Sequence, residues 1–207
     1  MPKWLFFPSG GGGGGFSSLA VGDTEVLTSA DEREISVTRM TDTQAIVCYR
    51  DASDSYKVKA CCLSLSSSTI TAGTVMTFGE NYCDYPSVTR MSDTKAIVCF
   101  KNASDGYKGY ACCLSLSGST ITAGTAIAFE SGNTSYICVD SMSDTKALVC
   151  YQDGDNSSYG TACCLSLSGT TITAGTPVVF ESAATDYISM TRIDDTHAIV
   201  CYQDGGN

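Results

Sequence analysis

The chain is expected to be all-β, a β-propeller of four-stranded antiparallel blades with four units per chain and the last blade closed by N-terminal strands. Three observations lead there. An alternating apolar run that ends in a polar turn, Ala-Leu-Val-Cys-Tyr-Gln-Asp at 147–153, recurs at 45–51, 96–102 and 198–204. Its cysteine therefore falls at 48, 99, 150 and 201, a step of 51 residues each time. Two more blocks keep that step: Ala-Cys-Cys-Leu-Ser-Leu-Ser at 60–66, 111–117 and 162–168, and Thr-Ala-Gly-Thr at 71–74, 122–125 and 173–176. A fixed period in this range marks a repeat architecture, in which each unit is one supersecondary module that buries its faces against its neighbours.

The elements follow in order. Residues 4–7 are a short apolar run, followed by Pro8, Ser9 and six glycines at 10–15. Alone, the glycines look like a flexible linker. The repeat frame changes that expectation, because residues 18–23 lie 51 before 69–74 and Leu27 lies 51 before Phe78. The chain thus begins inside a degenerate unit, with 4–7 standing roughly where 60–65 stands later and the glycines forming an enlarged hairpin loop. The expected organisation is an N-terminal strand and glycine-rich loop at 1–15, then a repeat domain at 16–207. Its blocks run about 35–84, 85–135, 136–186 and 187–207, the last completed by 1–34.

Each unit is expected to hold four strands, a to d. Strand a is 85–91, with counterparts at 35–40, 136–142 and 187–193. A tight Ser-Asp-Thr or Thr-Asp-Thr turn leads to strand b, the Ala-Ile-Val-Cys-Tyr run. A polar loop such as 153–158 leads to strand c, 160–168, and a Ser-Gly-Thr turn leads to strand d, 171–180. β-Branched and aromatic enrichment between turn residues supports strands throughout, and no stretch keeps a helical period. Radial repetition of such units is one solution to the problem of exposed strand edges. Two chains sharing an eight-bladed ring, or a linear β-solenoid, are the alternatives, so a homo-oligomer is among the expectations.

Composition excludes several classes. A net charge of −10 with only 12 Lys and Arg argues against nucleic acid and against anionic lipid, both of which need a basic surface. No run of about 18 apolar residues exists, so no membrane insertion is expected. Residues 1–7 are too short for the apolar core of an ordinary cleaved signal, and Pro8 and the glycines break it. The 12 cysteines sit within strands and not in Cys-x-x-Cys knuckles, and there is one His, which argues against zinc. Adjacent cysteines on a strand point to opposite faces, so Cys61 and Cys62 do not share a ligand sphere. The expectation is reduced, buried cysteines acting as small apolar residues. A cross-strand disulfide such as Cys48 with Cys61 or Cys62 is the alternative.

The segments 151–162, 167–182 and 187–189 resemble a family of propeller-like repeats found in tail-fibre and other virion surface proteins of bacteriophages, and in bacterial surface proteins. The resemblance covers about 16–207. Met1-Pro2-Lys3-Trp4 and the glycines after it also resemble the beginnings of phage tail-associated proteins. Relatives often carry Val, Ile or Gly in place of these cysteines, which fits a packing role. The resemblance implies a virion surface or extracellular location, with other virion proteins and cell-surface glycan as partners, and a structural or receptor-binding task.

In a propeller frame the b–c and d–a loops share one face. That face collects Asp51, Asp54, Glu80, Asp84, Asp105, Glu130, Asp153, Asp155, Glu181, Asp186 and Asp204, with Asn156. It is expected to be a cation-assisted or sugar-binding face, whose carboxylates and amides bond hydroxyls beside Tyr56, Tyr107 and Tyr159. Polar loops are also simply what hairpins require, since Asp and Asn suit turns. Asp153-x-Asp155-x-Ser157 has the alternating oxygens of a calcium loop. No bidentate Glu follows at the expected offset, and the sister loops differ in spacing, so no cofactor and no metal site is expected, with calcium as the minor alternative. Arg39, Arg90 and Arg192 repeat in strand a, where they either line a central channel or pair with Asp42, Asp93 and Asp195 in the following turn. His197 takes the slot of Gln44, Lys95 and Lys146 and is expected to be a solvated turn residue. No nucleophile stands beside a base, so no catalytic residue is expected. A bacterial lectin-like module and a glycan-cleaving enzyme using two loop carboxylates are the functional alternatives.

Overall fold

The computed structural model describes residues 32–80 and 82–206. Among them every regular element is a strand apart from one 3-10 turn at Ala103–Asp105. The first unit comprises β1 (Glu32–Arg39), β2 (Gln44–Asp51), β3 (Lys57–Ser66), β4 (Thr69–Ala72) and β5 (Met76–Thr77). The second comprises β6 (Cys83–Ser92), β7 (Lys95–Asn102), β8 (Lys108–Ser117), β9 (Thr120–Ala123) and β10 (Ile127–Glu130). The third comprises β11 (Thr134–Ser143), β12 (Lys146–Asp153), β13 (Tyr159–Ser168), β14 (Thr171–Ala174) and the first half of β15 (Val178–Arg192). The second half of β15 and β16 (Ala198–Asp204) begin a fourth unit.

All pairings are antiparallel, in the order a-b-c-d. The protein is therefore an all-β protein of antiparallel sheets. Among the described residues the sheets do not close into a barrel or ring, and β16 pairs only with β15. The expected closing strands and the glycine loop fall on residues 1–31, outside the described residues.

Strand d departs from expectation. It is split, not one strand over 171–180: β14 pairs with the end of β13, the chain leaves the ladder at Gly175-Thr176-Pro177, and β15 rejoins at Val178 opposite Ala162. The same break follows β4 and β9. The break keeps its hydrogen bonds. Gly73, Gly124 and Gly175 donate their N–H groups to the carbonyls of Cys62, Cys113 and Cys164, each at 2.8 Å. Their carbonyls accept from the thiols of Cys61, Cys112 and Cys163 at 3.3, 3.3 and 3.4 Å. The first cysteine of each pair is thus a small core residue that also supplies the donor a strand break leaves wanting. A second departure is that β15 runs unbroken from strand d into strand a. Ser131-Gly132-Asn133 interrupts the second unit there, whereas the third has Ser182-Ala183-Ala184, which lacks those turn formers.

Both faces of the second sheet are covered. Ile46, Cys48, Ala60 and Cys62 of the first sheet pack on Val88, Val98, Phe100, Cys112 and Leu114 of the second. Ile97, Cys99, Ala111 and Cys113 on the other face of the second sheet pack on Val139, Val149, Tyr151, Cys163 and Leu165 of the third. Paired cysteines do point to opposite faces: Cys112 belongs to the first of these layers and Cys113 to the second. This double burial is why the b and c strands read as nearly continuous apolar runs.

Strand a is the edge of each sheet, and its outward N–H groups would be unpaired. Side chains of the preceding unit accept from them. Val88 and Arg90 donate backbone N–H groups to Ser36 and Thr38, and Val139 and Ser141 donate to Ser87 and Thr89, all at 3.1 Å. Arg192 N–H donates to Asp140 at 2.8 Å. Small hydroxyl residues on strand a thereby fasten each unit to the next.

All 12 cysteines are free thiols: nine are buried, Cys138 is half-buried, and Cys164 and Cys201 are exposed. The reduced, buried state expected from the sequence thus holds for most of them. A thiol reagent added to the dilute native chain is expected to modify Cys164 and Cys201 at once, Cys138 slowly, and the other nine only with unfolding. Rapid labelling of more than three would contradict this packing.

Candidate ligand-binding face

The b–c and d–a loops lie side by side because their backbones bond. Tyr82 and Cys83 donate N–H groups to the carbonyls of Ser55 and Tyr56 at 2.8 and 2.9 Å. Thr134 donates to Tyr107 at 3.0 Å and Thr185 to Ser158 at 3.0 Å. Tyr56, Tyr107 and Ser158 occupy one repeat position and share a left-handed backbone, with φ of 60°, 64° and 63°. Tyr159 therefore does not belong with Tyr56 and Tyr107, because it stands in the slot of Lys57 and Lys108.

Many of the expected carboxylates are already engaged. Asp51 accepts from its own loop at Ser53 and Asp54 and from Lys59 Nζ at 2.7 Å. Asp54 pairs with Lys57 and Lys59, each at 2.9 Å. Burial alone would raise the Asp51 pKa, but the bonds from Lys59 and Ser53 outweigh it and hold it below the ordinary value. Lys59 is raised in turn, its burial outweighed by those two carboxylates. Asp105 accepts from Tyr110 Oη at 2.5 Å and pairs with Lys108, and both lower its pKa. The third loop differs. Thr161 replaces Lys59 there, and Asp153 accepts only from backbone N–H groups of Asp155 and Asn156 among the described contacts. Its pKa is pushed upward, first by burial and then by the nearby Glu130 carboxylate. Glu130 itself accepts from the Tyr151 hydroxyl at 2.8 Å. No group of three or more His, Cys, Asp or Glu among the described residues is arranged to hold a metal ion.

The aromatic part of the face is larger than the sequence suggested. Tyr85, Tyr136 and Tyr187, again 51 residues apart, form a ladder with ring centroids 5.6 and 5.2 Å apart. Each sits at a strand bulge with φ of 54°, 52° and 52°. Glu34 takes the same bulge in the first unit, at φ 50°, and its carboxylate accepts from the Tyr85 N–H at 2.7 Å. Tyr56 stacks on Tyr82, and the Arg50 guanidinium lies 4.4 Å from the Tyr56 ring centroid. Lys101 is buried with its Nζ 4.9 Å from the Tyr107 centroid and 5.9 Å from that of Tyr85. Burial lowers its pKa against the opposing pull of Asp84 and Glu34. The sequence displayed the tyrosine step, but only as a strand start. Its left-handed backbone, which turns the rings into a column, could not be foreseen from spacing.

The expected arginines lie away from this face. Arg39 pairs with Asp42 at 3.3 Å, and Arg90 and Arg192 pair with Asp93 and Asp195. These are the turn pairs anticipated as one reading of the series, and being exposed they contribute little stability. His197 is exposed and bonds Asp194 and Thr196 in its own turn. No helix among the described residues is long and apolar enough to cross a membrane. No family model and no curated protein matches the chain. Fold and face together define a repeat protein of stacked antiparallel sheets that presents one aromatic and acidic loop surface.

Proposed function

We propose that the units are blades of a β-propeller that works without catalysis, as a structural or receptor-binding part of a phage virion, and that its loop face contacts cell-surface glycan. The observation that supports this most is the repeated pairing of tyrosine and carboxylate on one face at every unit. Aromatic faces suit the apolar side of a sugar ring, and carboxylates accept from its hydroxyls. Several equivalent weak sites on one body raise avidity over single-site affinity by a factor of about 10²–10⁴. The resemblance of 151–162 and 167–182 to virion surface repeats supports the setting.

A glycan array probed with the intact chain tests this. Binding is expected to persist in chelator, because Lys57, Lys59 and Lys108 already neutralise the first two loops. Tyr136→Ala is expected to lower the apparent affinity about fivefold, since an aromatic stacking contact is worth about 1 kcal/mol. If no glycan binds with or without calcium, the receptor-binding half of the proposal fails and only the scaffold half stands.

A further inference from the structure

We propose that Cys138, Cys150 and Met190 form a three-sulfur site for one soft monovalent metal ion, Cu(I), at the contact between the third and fourth units. The proposal does not depend on the glycan reading.

The site is a departure from the repeat. Where one unit meets the next, strand a offers an acceptor, strand b offers a thiol, and strand a of the next unit covers both. In the first such layer these positions are Ser36, Cys48 and Val88, and in the second they are Ser87, Cys99 and Val139. In the third layer they are Cys138, Cys150 and Met190. Two changes, Ser to Cys and Val to Met, fall on the same spot, and one sulfur becomes three. Cys138 and Cys150 stand directly opposite each other on β11 and β12, so their side chains share one face of the sheet. The Cys150 thiol lies 3.6 Å from Met190 Sδ. Burial raises the Cys138 thiol above its ordinary value, and a bond from the Met190 backbone opposes this, as an N–H donated to sulfur does.

This set of donors selects the ion. Thiolate and thioether sulfurs are soft ligands that favour Cu(I), whereas zinc takes four ligands and calcium takes oxygens. Two sulfurs held about 2.3 Å from one ion in a trigonal arrangement stand about 4 Å apart. The 3.6 Å between Cys150 and Met190 is close to that separation. The carboxylate of Asp140, whose charge acts on Cys138, is already engaged by the Thr89 hydroxyl and the N–H groups of Ser141 and Arg192. It is therefore not free to add a hard ligand. Cys138 and Met190 are both half-buried, which gives the ion a way in. Binding breaks the two S–H bonds and sends both protons to solvent. It forms two bonds from copper to thiolate and one to the thioether, with no change of oxidation state. The Met190 N–H stays on the Cys138 thiolate, where it favours the ionised form. An ion so held ties strands a and b of the third unit to strand a of the fourth.

Anaerobic titration of the intact chain with Cu(I), presented as its bicinchoninate complex, tests the proposal. It is done with Cys164→Ser and Cys201→Ser in place, which removes the two exposed thiols. One Cu(I) per chain is expected to leave the chelator, and X-ray absorption should show it bound by sulfur alone. Its apparent affinity should rise about a hundredfold per pH unit while both thiols are protonated, because two protons leave on binding. The bound ion should also stop the slow alkylation of Cys138 and raise the urea midpoint. Cys138→Ser and Met190→Val restore residues that the other layers already carry, so circular dichroism should show both variants folded. The first is expected to lose the ion, and the second to bind it at least about tenfold more weakly. No uptake by the folded chain, undiminished uptake in Cys138→Ser, or Zn(II) bound as tightly as Cu(I) would each overturn the proposal. A chain that takes no copper yet forms a Cys138–Cys150 disulfide with oxidised glutathione would overturn it too, and would make the pair a redox couple instead.

Discussion

Raising the pH from about 9 toward 12 is expected to unfold this protein cooperatively. Burial pushes the thiols of Cys83 and Cys150 up to about 12 and those of Cys61 and Cys112 up to about 11. Cys48 and Cys99, wholly enclosed, are raised further still. An unfolded thiol titrates near its ordinary value of 9.0. Folded pKa values above the unfolded ones mean that the native state holds its protons longer. The associated stability is complete below about pH 9 and is lost as the pH rises through the folded values. A tenfold difference in proton affinity between the folded and unfolded chain is worth about 1.4 kcal/mol. At about pH 11, a thiol that the fold still keeps protonated therefore withdraws roughly 3 kcal/mol. Several such thiols together are comparable with the roughly 5–15 kcal/mol by which domains are stable. Circular dichroism under reductant should show a midpoint between about pH 9.5 and 11. Replacing Cys48 and Cys99 with Ala should move that midpoint upward even though the cavities left lower stability at neutral pH. A chain still folded at pH 12 would contradict the account of the cores.

Gly73→Ala is expected to destabilise by about 2–3 kcal/mol, and Gly124→Ala by somewhat less. A Cβ at Gly73 would lie 2.5 Å from the Ser119 carbonyl oxygen of the next unit, and one at Gly124 would lie 2.9 Å from that of Thr170. Backbone atoms cannot swing aside as a side chain can, so the two units must separate. Gly175 occupies the same place in the same Thr-Ala-Gly-Thr block. Among the described residues no following turn lies against it, and the nearest atom is the Cys164 carbonyl oxygen at 3.2 Å. Gly175→Ala should therefore cost less than about 1 kcal/mol. Urea unfolding of the three variants would check this. Equal losses at all three would mean that the glycines serve their own strand break and not the contact between units.

The period and the strand types were legible because the b and c strands of the inner sheet are buried on both faces, so the demand for apolar residues recurs at the 51-residue step. Cys61 and Cys62 already pointed to opposite faces in the sequence, since alternation along a strand fixes that. The break in strand d was less visible. It depends on a cysteine thiol answering a glycine carbonyl 12 residues away, as Cys61 answers Gly73, and no propensity pattern encodes that. The face was half legible. Asp51, Asp54 and Asp105 sit in their loops as expected, yet Lys59, Lys108 and Tyr110 had to be placed across the sheet before their neutralisation could be seen. The Tyr85–Tyr136–Tyr187 column was hidden for a similar reason, because a left-handed bulge redirects a side chain that simple alternation would place elsewhere. Strand a could be named but its fastening could not, since an acceptor such as Ser36 lies 52 residues from the Val88 N–H it serves.

The interchangeability of the units is most directly tested by deleting one of them. Removing residues 85–135 joins Asp84 to Tyr136, leaves every strand in phase and brings the first sheet's Ile46 and Cys48 face against the third sheet's Val139 and Val149 face. Stability in such stacks is nearly a sum over units and the contacts between neighbours. The shortened chain is therefore expected to keep the β-sheet signal per residue of the parent and to unfold in one transition, at lower denaturant because one interface is gone. Removing 93–135, which runs strand a of the second unit straight into strand a of the third with no b, c or d strand between them, should leave the chain unfolded or aggregated. If the in-phase deletion fails to fold, or if both deletions fold equally well, the 51-residue sheet is not the building block of this protein.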